Sequence, residues 1–270
     1  MKRVFSDIEL EYIKNNYKQK TYKQITEELN TFNKIKKTPK QVRTKAAVMG
    51  LSKTIHSYNR KYFKNINTSE KAYWLGFIYA DGYVARHKQS DGRSSSELGI
   101  ELNAVDREHL AKFEECINGS DNISSRISKD RYIDGVFVKG GVEMAVIRLF
   151  SSEMVQDLMK HNVVPNKTYR HEFPIVDNEY FYDFLRGYID GDGCLYYSKE
   201  KLCINATCSN HDFLLYLSNK LDDDGIGTSI YKEKEYKYRL NFHGDSKVIV
   251  DKLYGNSNLY LKRKYDIAYG

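Results

Sequence analysis

Asp81 and Asp192 are the residues of this sequence whose setting could do chemistry. Each closes an apolar run and is followed at once by glycine: KAYWLGFIYADGYV over residues 71–84 and YDFLRGYIDGDGCL over residues 182–195. Read as helices, both runs leave a carboxylate at the C-terminal end, where the helix dipole is negative and disfavours an anion by about 0.3–1 kcal/mol. Asp-Gly is by itself an ordinary turn signal after a helix. Two copies, each feeding directly into a strand, point further. A divalent cation between such carboxylates reverses the electrostatics, because hard cations take carboxylate and backbone carbonyl oxygens. Carboxylates sharing metal ions beside a phosphodiester can activate water and stabilise the leaving oxygen.

The helices that carry these acids have a reason to meet. Gly76 and Ala80 lie four residues apart in the first, Gly187 and Gly191 in the second, so each helix has a strip without bulky side chains on one face. Glycine inside a helix costs about 1 kcal/mol relative to alanine. Close backbone approach of the two helices explains that cost, and it would bring the two acids together.

Around the helices the pattern repeats, with the Asp-Gly pairs 111 residues apart. The first copy reads as strands near 83–87 and 96–103, a helix from Asp106, strands near 123–131 and 142–150, and a helix from Ser152. The second reads as strands near 194–197 and 201–208, a helix from Asn210, strands near 228–232 and 236–242, and a helix from Asp245. Alternation in KLCINATC (201–208) and YKYRLNF (236–242) puts one apolar face under helices and one polar face outward. The expected fold class is α+β: two tandem αββαββα repeats, 68–174 and 175–270, in a pseudo-twofold arrangement.

Charge divides the chain differently. Residues 1–67 hold 16 basic and 5 acidic residues, a net +11, whereas the remainder holds 27 basic and 31 acidic, a net −4. No acid occurs between Glu28 and Glu70, which favours a polyanion partner. Within 1–51, Ser6 with Glu9 forms a capping-box signature for a helix whose apolar side is Ile8, Tyr12 and Ile13. A second helix starts near Thr21 with Tyr22, Ile25 and Leu29 on one face. A third starts at Thr38-Pro39, buries Val42, Ala46 and Met49, and stops at Gly50. Its outward side carries Lys40, Gln41, Arg43, Thr44 and Lys45, types that hydrogen-bond base edges in a major groove. The segment resembles Myb-like and homeodomain-like helix-turn-helix modules. Residues 52–67 read as a basic linker.

The four cysteines, Cys116, Cys194, Cys203 and Cys208, show no CxxC pair, so buried reduced thiols are expected rather than a zinc site. No apolar run approaches the roughly 20 residues that span a bilayer. The N-terminus turns acidic too soon for a signal peptide, so a cytoplasmic location is expected; a bacterial or phage-encoded source is the accompanying expectation.

WLGFIYADG and LRGYIDGDG resemble the two signature helices of single-chain LAGLIDADG homing endonucleases, a likeness extending over residues 68–270. The resemblance implies a monomeric, site-specific double-strand DNA endonuclease leaving short 3′ overhangs. Asp81 and Asp192 take the family's metal-binding catalytic positions, with Ala80 and Gly191 as the small residues beside them and Gly76 and Gly187 as the internal glycines. Mg2+ is the implied cofactor, with Mn2+ substituting and Ca2+ supporting binding without cleavage. Tyr79 replaces the first acid of copy one, which is not the catalytic one. Arg186 replaces a small residue in copy two and could alter packing at the pseudo-twofold interface. VVPNKTY (163–169) and LYLKRKY (259–265) resemble the closing segments that bring a basic residue to the metal water; Lys167 and Lys264 are the candidates, with Lys262 the rival in copy two. On the sheets, Arg86, Arg126, Lys201, Asn205, Lys237 and Arg239 are the expected DNA contacts. The alternatives are a silent DNA-binding regulator or an RNA-splicing maturase of the same descent; an intein endonuclease fits less well, for want of splicing blocks.

Overall fold

The computed structural model describes residues 5–17, 20, 22–32, 35–51, 58–88, 92, 94–133, 135–167 and 170–270. The chain forms two compact units, Met1–Ser57 and Tyr58–Gly270.

The first unit is three helices: α1 (Asp7–Asn16), α2 (Tyr22–Phe32) and α3 (Pro39–Val48). Both capping boxes form, Ser6 with Glu9 and Thr38 with Gln41, and Pro39 opens α3. The core is Phe5, Ile13, Ile25, Leu29, Val42 and Ala46. Ile8 departs from expectation at 73% exposed. The inward stripe of α1 is Glu9 and Ile13 instead, because the Glu9 carboxylate has a buried cation to meet: Lys37 Nζ lies 3.5 Å away and 5.1 Å from the Phe5 ring centroid. Lys37, part of the acid-free basic run, is thereby spent on the core. Met49 is only half-buried, and the expected helix start at Thr21 lies outside the described residues.

The second unit begins earlier than the sequence implied. Residues 52–57 lie outside the described residues, but 58–67 are no linker. Tyr62 and Phe63 are buried in the core, the Asn59 amide donates to the Ile117 carbonyl (2.6 Å), and Tyr62 Oη donates to Glu70 Oε1 (2.5 Å). The basic residues beside them, Arg60, Lys61 and Lys64, stay exposed, so burying the two aromatics takes no charge out of water.

Two matching layers follow. α4 (Ser69–Asp81) leads into β1 (Gly82–Lys88), β2 (Ser94–Asn103), α5 (Arg107–Cys116), β3 (Ile123–Ile127), β6 (Glu143–Phe150) and α6 (Ser152–Lys160). α7 (Phe181–Asp192) leads into β7 (Gly193–Ser198), β8 (Lys201–Cys208), α8 (His211–Asp222), β9 (Thr228–Lys234), β10 (Lys237–Phe242), α9 (Ser246–Tyr254) and α10 (Lys262–Tyr269). The sheets are antiparallel with the same strand order, β1-β2-β6-β3 and β7-β8-β10-β9. The fold is α+β, as expected. One asymmetry breaks the expected repeat: the first copy inserts a hairpin, β4 (Arg131–Ile133) and β5 (Val136–Val138), which cuts the expected 123–131 strand short. Another is α10, where the sequence showed only a closing segment. Buried Leu98, Ile100, Ile147, Ile204, Ala206 and Leu240 line the inner faces of the sheets, against the helices. Among the described residues no helix is long and apolar enough to cross a membrane.

Candidate active site

The strips of small residues are where α4 and α7 touch. A Cβ on Gly76 would overlap the Phe184 carbonyl oxygen and come within 3.0 Å of the Tyr188 nitrogen; one on Gly187 would overlap the Tyr73 carbonyl oxygen and lie 2.8 Å from its carbon. A Cβ on Gly191 would overlap that of Ala80. The neighbours of the first two are backbone, which cannot rotate away, so glycine at 76 and 187 is a condition of the seam. Asp81 and Asp192 are the last residues of these two helices.

Two lysines cap the same helix ends. Lys167 Nζ donates to the carbonyls of Ile78 (2.9 Å), Ala80 (3.0 Å) and Gly82; Lys264 Nζ donates to those of Ile189 (2.7 Å), Gly191 (2.9 Å) and Gly193 (2.7 Å). Each ammonium thus uses all three donors on carbonyls at a helix's C-terminal end and the first residue of the following strand, one of them (Ile78 or Ile189) already accepting from the capping glycine's amide, and sets a cation on the negative dipole. The rival Lys262 is exposed and pairs with Asp266 (2.8 Å), four residues on.

Electrostatically the four groups form one cluster. Burial pushes Asp192 up to about 6, helped by the Asp81 charge and opposed by Lys167 and then Lys264. Burial also raises Asp81, against Lys264, Lys167 and Arg263 in that order. Both lysines are pushed down to about 8, chiefly by burial. Both aspartates keep exposed surface while protein crowds around them, so the lost hydration is that of a recess open on one side. The pairing is crossed: the strongest cation at each carboxylate comes from the other repeat's closing segment. Beside Asp192 lies a recess of about 210 Å3 whose lining includes Tyr79, Ala80, Lys167, Tyr188 and Lys237.

The donor set suits a hard divalent cation. Among the described residues there is no cluster of three or more His, Cys, Asp or Glu, which leaves two carboxylates and the Ala80 and Gly191 carbonyls. Each carbonyl accepts one lysine hydrogen bond and retains a second lone pair. One or two carboxylates, completed by water and phosphate oxygens, is the usual way proteins hold Mg2+. The four cysteines are free, and Cys194 is exposed rather than buried.

Asp190 lies outside the residues that the sequence pattern singles out, yet it is fully buried, accepting from Tyr73 Oη (2.7 Å), Tyr254 Oη (2.8 Å) and the Leu261 amide (2.7 Å). It ties the start of α10, and so Lys264, to α7. An acid inside an apolar helix face was the available signal. Arg186 does not disturb the seam. It donates to the carbonyls of Leu253 and Leu259 (both 2.9 Å) and to Asp183 (2.6 Å), with its guanidinium 5.2 Å from the Tyr73 ring centroid.

The expected DNA contacts fare unevenly. Arg86 and Lys201 are exposed, and Arg86 Nη2 lies 3.4 Å from Met159 Sδ. Arg126 is held by Glu101 in a two-point pair (2.9 and 2.5 Å), and Arg239 and Lys237 share Glu233, the latter at 3.3 Å. Asn205 is a correction: at 5% exposed, on a strand flanked by β7 and β10, its amide is not offered to a groove. In the first unit Lys40, Arg43 and Thr44 are exposed and Lys45 is half-buried, but the Gln41 side-chain oxygen is already taken by the Thr38 amide (2.8 Å). The polar face of the first sheet also carries Glu97, which accepts from Tyr83 Oη (2.7 Å) and lies 3.5 Å from Arg148 Nε. The period-two pattern of β2 was readable for it.

Residues 182–259 match the family model described as the LAGLIDADG-like domain. No curated protein matches the chain. Among solved structures, mesophilic variants of the homing endonuclease I-DmoI are similar over 74% of this chain and 98% of theirs, at 17% identity and a TM-score of 0.48. I-DmoI in complex with DNA and Ca covers 77% of this chain and 97% of its own, at 17% identity and a TM-score of 0.48. The LAGLIDADG meganuclease I-AabMI, bound to uncleaved DNA, covers 72% and 86% at 12% identity and a TM-score of 0.45.

Proposed function

We propose that this chain, whose residues 182–259 match the LAGLIDADG-like domain, is a divalent-metal-dependent endonuclease that hydrolyses both strands of a double-stranded DNA site. The observation that carries the reading is the seam itself. Two glycine strips press two helices together and deliver two carboxylates, each disfavoured by burial, to one place. An arrangement serving stability alone would have put neutral or basic residues there.

Asp81 and Asp192, with the Ala80 and Gly191 carbonyl oxygens, would hold the cation, Mg2+ by preference and Mn2+ in its place. A bound divalent cation supplies Lewis-acid activation of water and charge neutralisation at the departing oxygen. In the hydrolysis the water oxygen bonds phosphorus, the P–O3′ bond breaks, and the products are a 5′-phosphate and a 3′-hydroxyl. Lys167 and Lys264 have all donors engaged on helix carbonyls, so they act through charge: each offsets the carboxylate facing it and the charge growing on the phosphate. The crossed pairing makes each half-site depend on both repeats. That suits a monomer with internal pseudo-twofold symmetry cutting two strands. The N-terminal unit adds affinity for flanking sequence by raising the effective concentration of the catalytic unit at the DNA.

Incubating the protein with a randomised duplex library in Mg2+, and sequencing the ends, tests the reading. Cut ends clustered at one site with short 3′ overhangs are expected in Mg2+, and uncut but retained duplex in Ca2+. Retained duplex with no ends in either metal would instead support a regulator or maturase.

A further inference from the structure

The two half-sites differ by a linked pair of residues. With the closing lysines aligned, Arg263 precedes Lys264 where Asn166 precedes Lys167; with the helices after the second strands aligned, Asp106 stands where Asn210 stands. The two differences meet in space. Arg263 Nε donates to Asp106 Oδ2 at 2.9 Å, and the Asp106 side chain is 9% exposed against 52% for Arg263. A surface guanidinium is therefore moored by a buried carboxylate. Among the described residues its terminal Nη groups meet no acceptor. The asparagines do nothing similar. Asn210 turns inward, donating to the His171 (2.8 Å) and Arg170 (3.3 Å) carbonyls and capping the Phe213 amide (3.2 Å), and Asn166 is an exposed residue at φ 57°.

The moored arginine sits where a reacting strand could use it. Asp106 and Arg263 border a recess of about 420 Å3 together with His109, Lys112 and Tyr260, and both charges are felt at the Asp81 carboxyl. Beside Asp192 the additional cation is Lys237, a single ammonium already paired with Glu233. A guanidinium with its Nε fixed offers two terminal groups in a plane, the geometry that fits two oxygens of one phosphate, and little side-chain freedom is left to lose on binding.

We propose that Arg263, moored by Asp106, is the phosphate anchor of the Asp81 half-site, binding the non-bridging oxygens of the strand cut there, with no counterpart at Asp192 among the described residues. This rests on the endonuclease reading above. It makes the two strand cuts chemically unequal. Asp106 is then a positioning residue, acting through Arg263.

The test uses full-length protein and a supercoiled plasmid bearing the site recovered from the library, with each strand end-labelled in parallel duplexes. In Arg263→Gln, cleavage of one strand slows at least tenfold, in line with the loss of one preorganised donor, while the other strand keeps its rate and nicked circles accumulate. In Ca2+ the log–log salt slope of binding falls by about 0.9, the share of a single phosphate. Arg263→Lys restores the slope but not the rate, because an ammonium replaces the charge and not the fork. Asp106→Asn slows the same strand by a smaller factor. Equal slowing of both strands, or no slowing with an unchanged slope, overturns the anchor. A wild-type protein that cuts neither strand overturns the endonuclease reading instead, and the anchor then stands or falls on the salt slope alone.

Discussion

Gly187→Ala adds a single methyl group, and the structure says where it goes: onto the Tyr73 carbonyl oxygen, with the carbonyl carbon at 2.8 Å and the Phe77 nitrogen at 2.9 Å. All three atoms are α4 backbone, so relief requires the helices to separate along the seam. Overpacking in a core costs about 1–3 kcal/mol, and a backbone neighbour argues for the upper end. Alanine returns up to about 1 kcal/mol of helix propensity. The net loss is then about 2 kcal/mol. For a unit the size of residues 58–270 each kcal/mol moves the melting temperature by about 2–4 °C, so a fall of about 4–8 °C is expected. Differential scanning calorimetry of the full chain, following the transition of the larger unit, measures it. Gly50→Ala is the contrasting control: it lies in the small unit at φ +69°, where an added Cβ meets nothing but alanine strains the backbone, so any loss falls on the small unit and the larger unit's transition stays where it is. An unchanged or raised midpoint for Gly187→Ala would refute the close-packed seam.

Three further outcomes follow from the same structure. Asp192→Asn should stabilise the metal-free protein at pH 7: the native carboxyl titrates near 6 and the unfolded one near 4, so ionisation costs native stability as pH rises through that window and the cost stands in full above it. A shift of that size is worth about 3 kcal/mol in a dry interior, but the group is partly exposed, so about 1 kcal/mol is expected after screening, seen as a melting shift that disappears at pH 4 and in Mg2+. Deleting residues 1–57 should weaken DNA binding and flatten its salt dependence by close to one unit of slope for each phosphate no longer neutralised, while cutting at saturating protein persists; equal slopes would mean the basic run is only a solvated surface. Lys199 and Glu200 both take positive φ (47° and 63°) in the two-residue turn joining β7 to β8, a turn that prefers Asn-Gly, so Lys199→Asn with Glu200→Gly should raise stability by about 1–2 kcal/mol by denaturant titration.

The parts of this molecule governed by local rules are legible in the sequence alone. Thr38-Pro39 opens a helix wherever it stands, glycine at 76 and again at 187 can only mean close approach, and period-two alternation sets the buried faces of β8 and β10. What stays hidden depends on partners distant in sequence. Nothing in α1 says that Glu9 will turn inward, until Lys37 arrives from beyond α2. Spacing does not separate Lys264 from Lys262; Asp190, fixing the Leu261 amide 71 residues away, decides which of them reaches the helix end. Arg126 and Arg239 read as free cations because their partners come from other strands, Glu101 from across the intervening β6 and Glu233 from the adjacent β9. Tyr62 and Phe63 look like linker because the surrounding lysines outvote two aromatics in any window average, although the aromatics decide where the chain packs.

The central claim is that Asp81 and Asp192 jointly hold the metal that drives double-strand cleavage. Its most direct test is cleavage of the library-selected duplex by Asp81→Asn and Asp192→Asn in Mg2+, with binding measured in parallel in Ca2+. Each neutral substitution removes an anionic oxygen ligand and changes little in shape, so double-strand cutting should disappear in both variants while the duplex is still bound. Either variant cutting both strands at the wild-type rate would contradict the account.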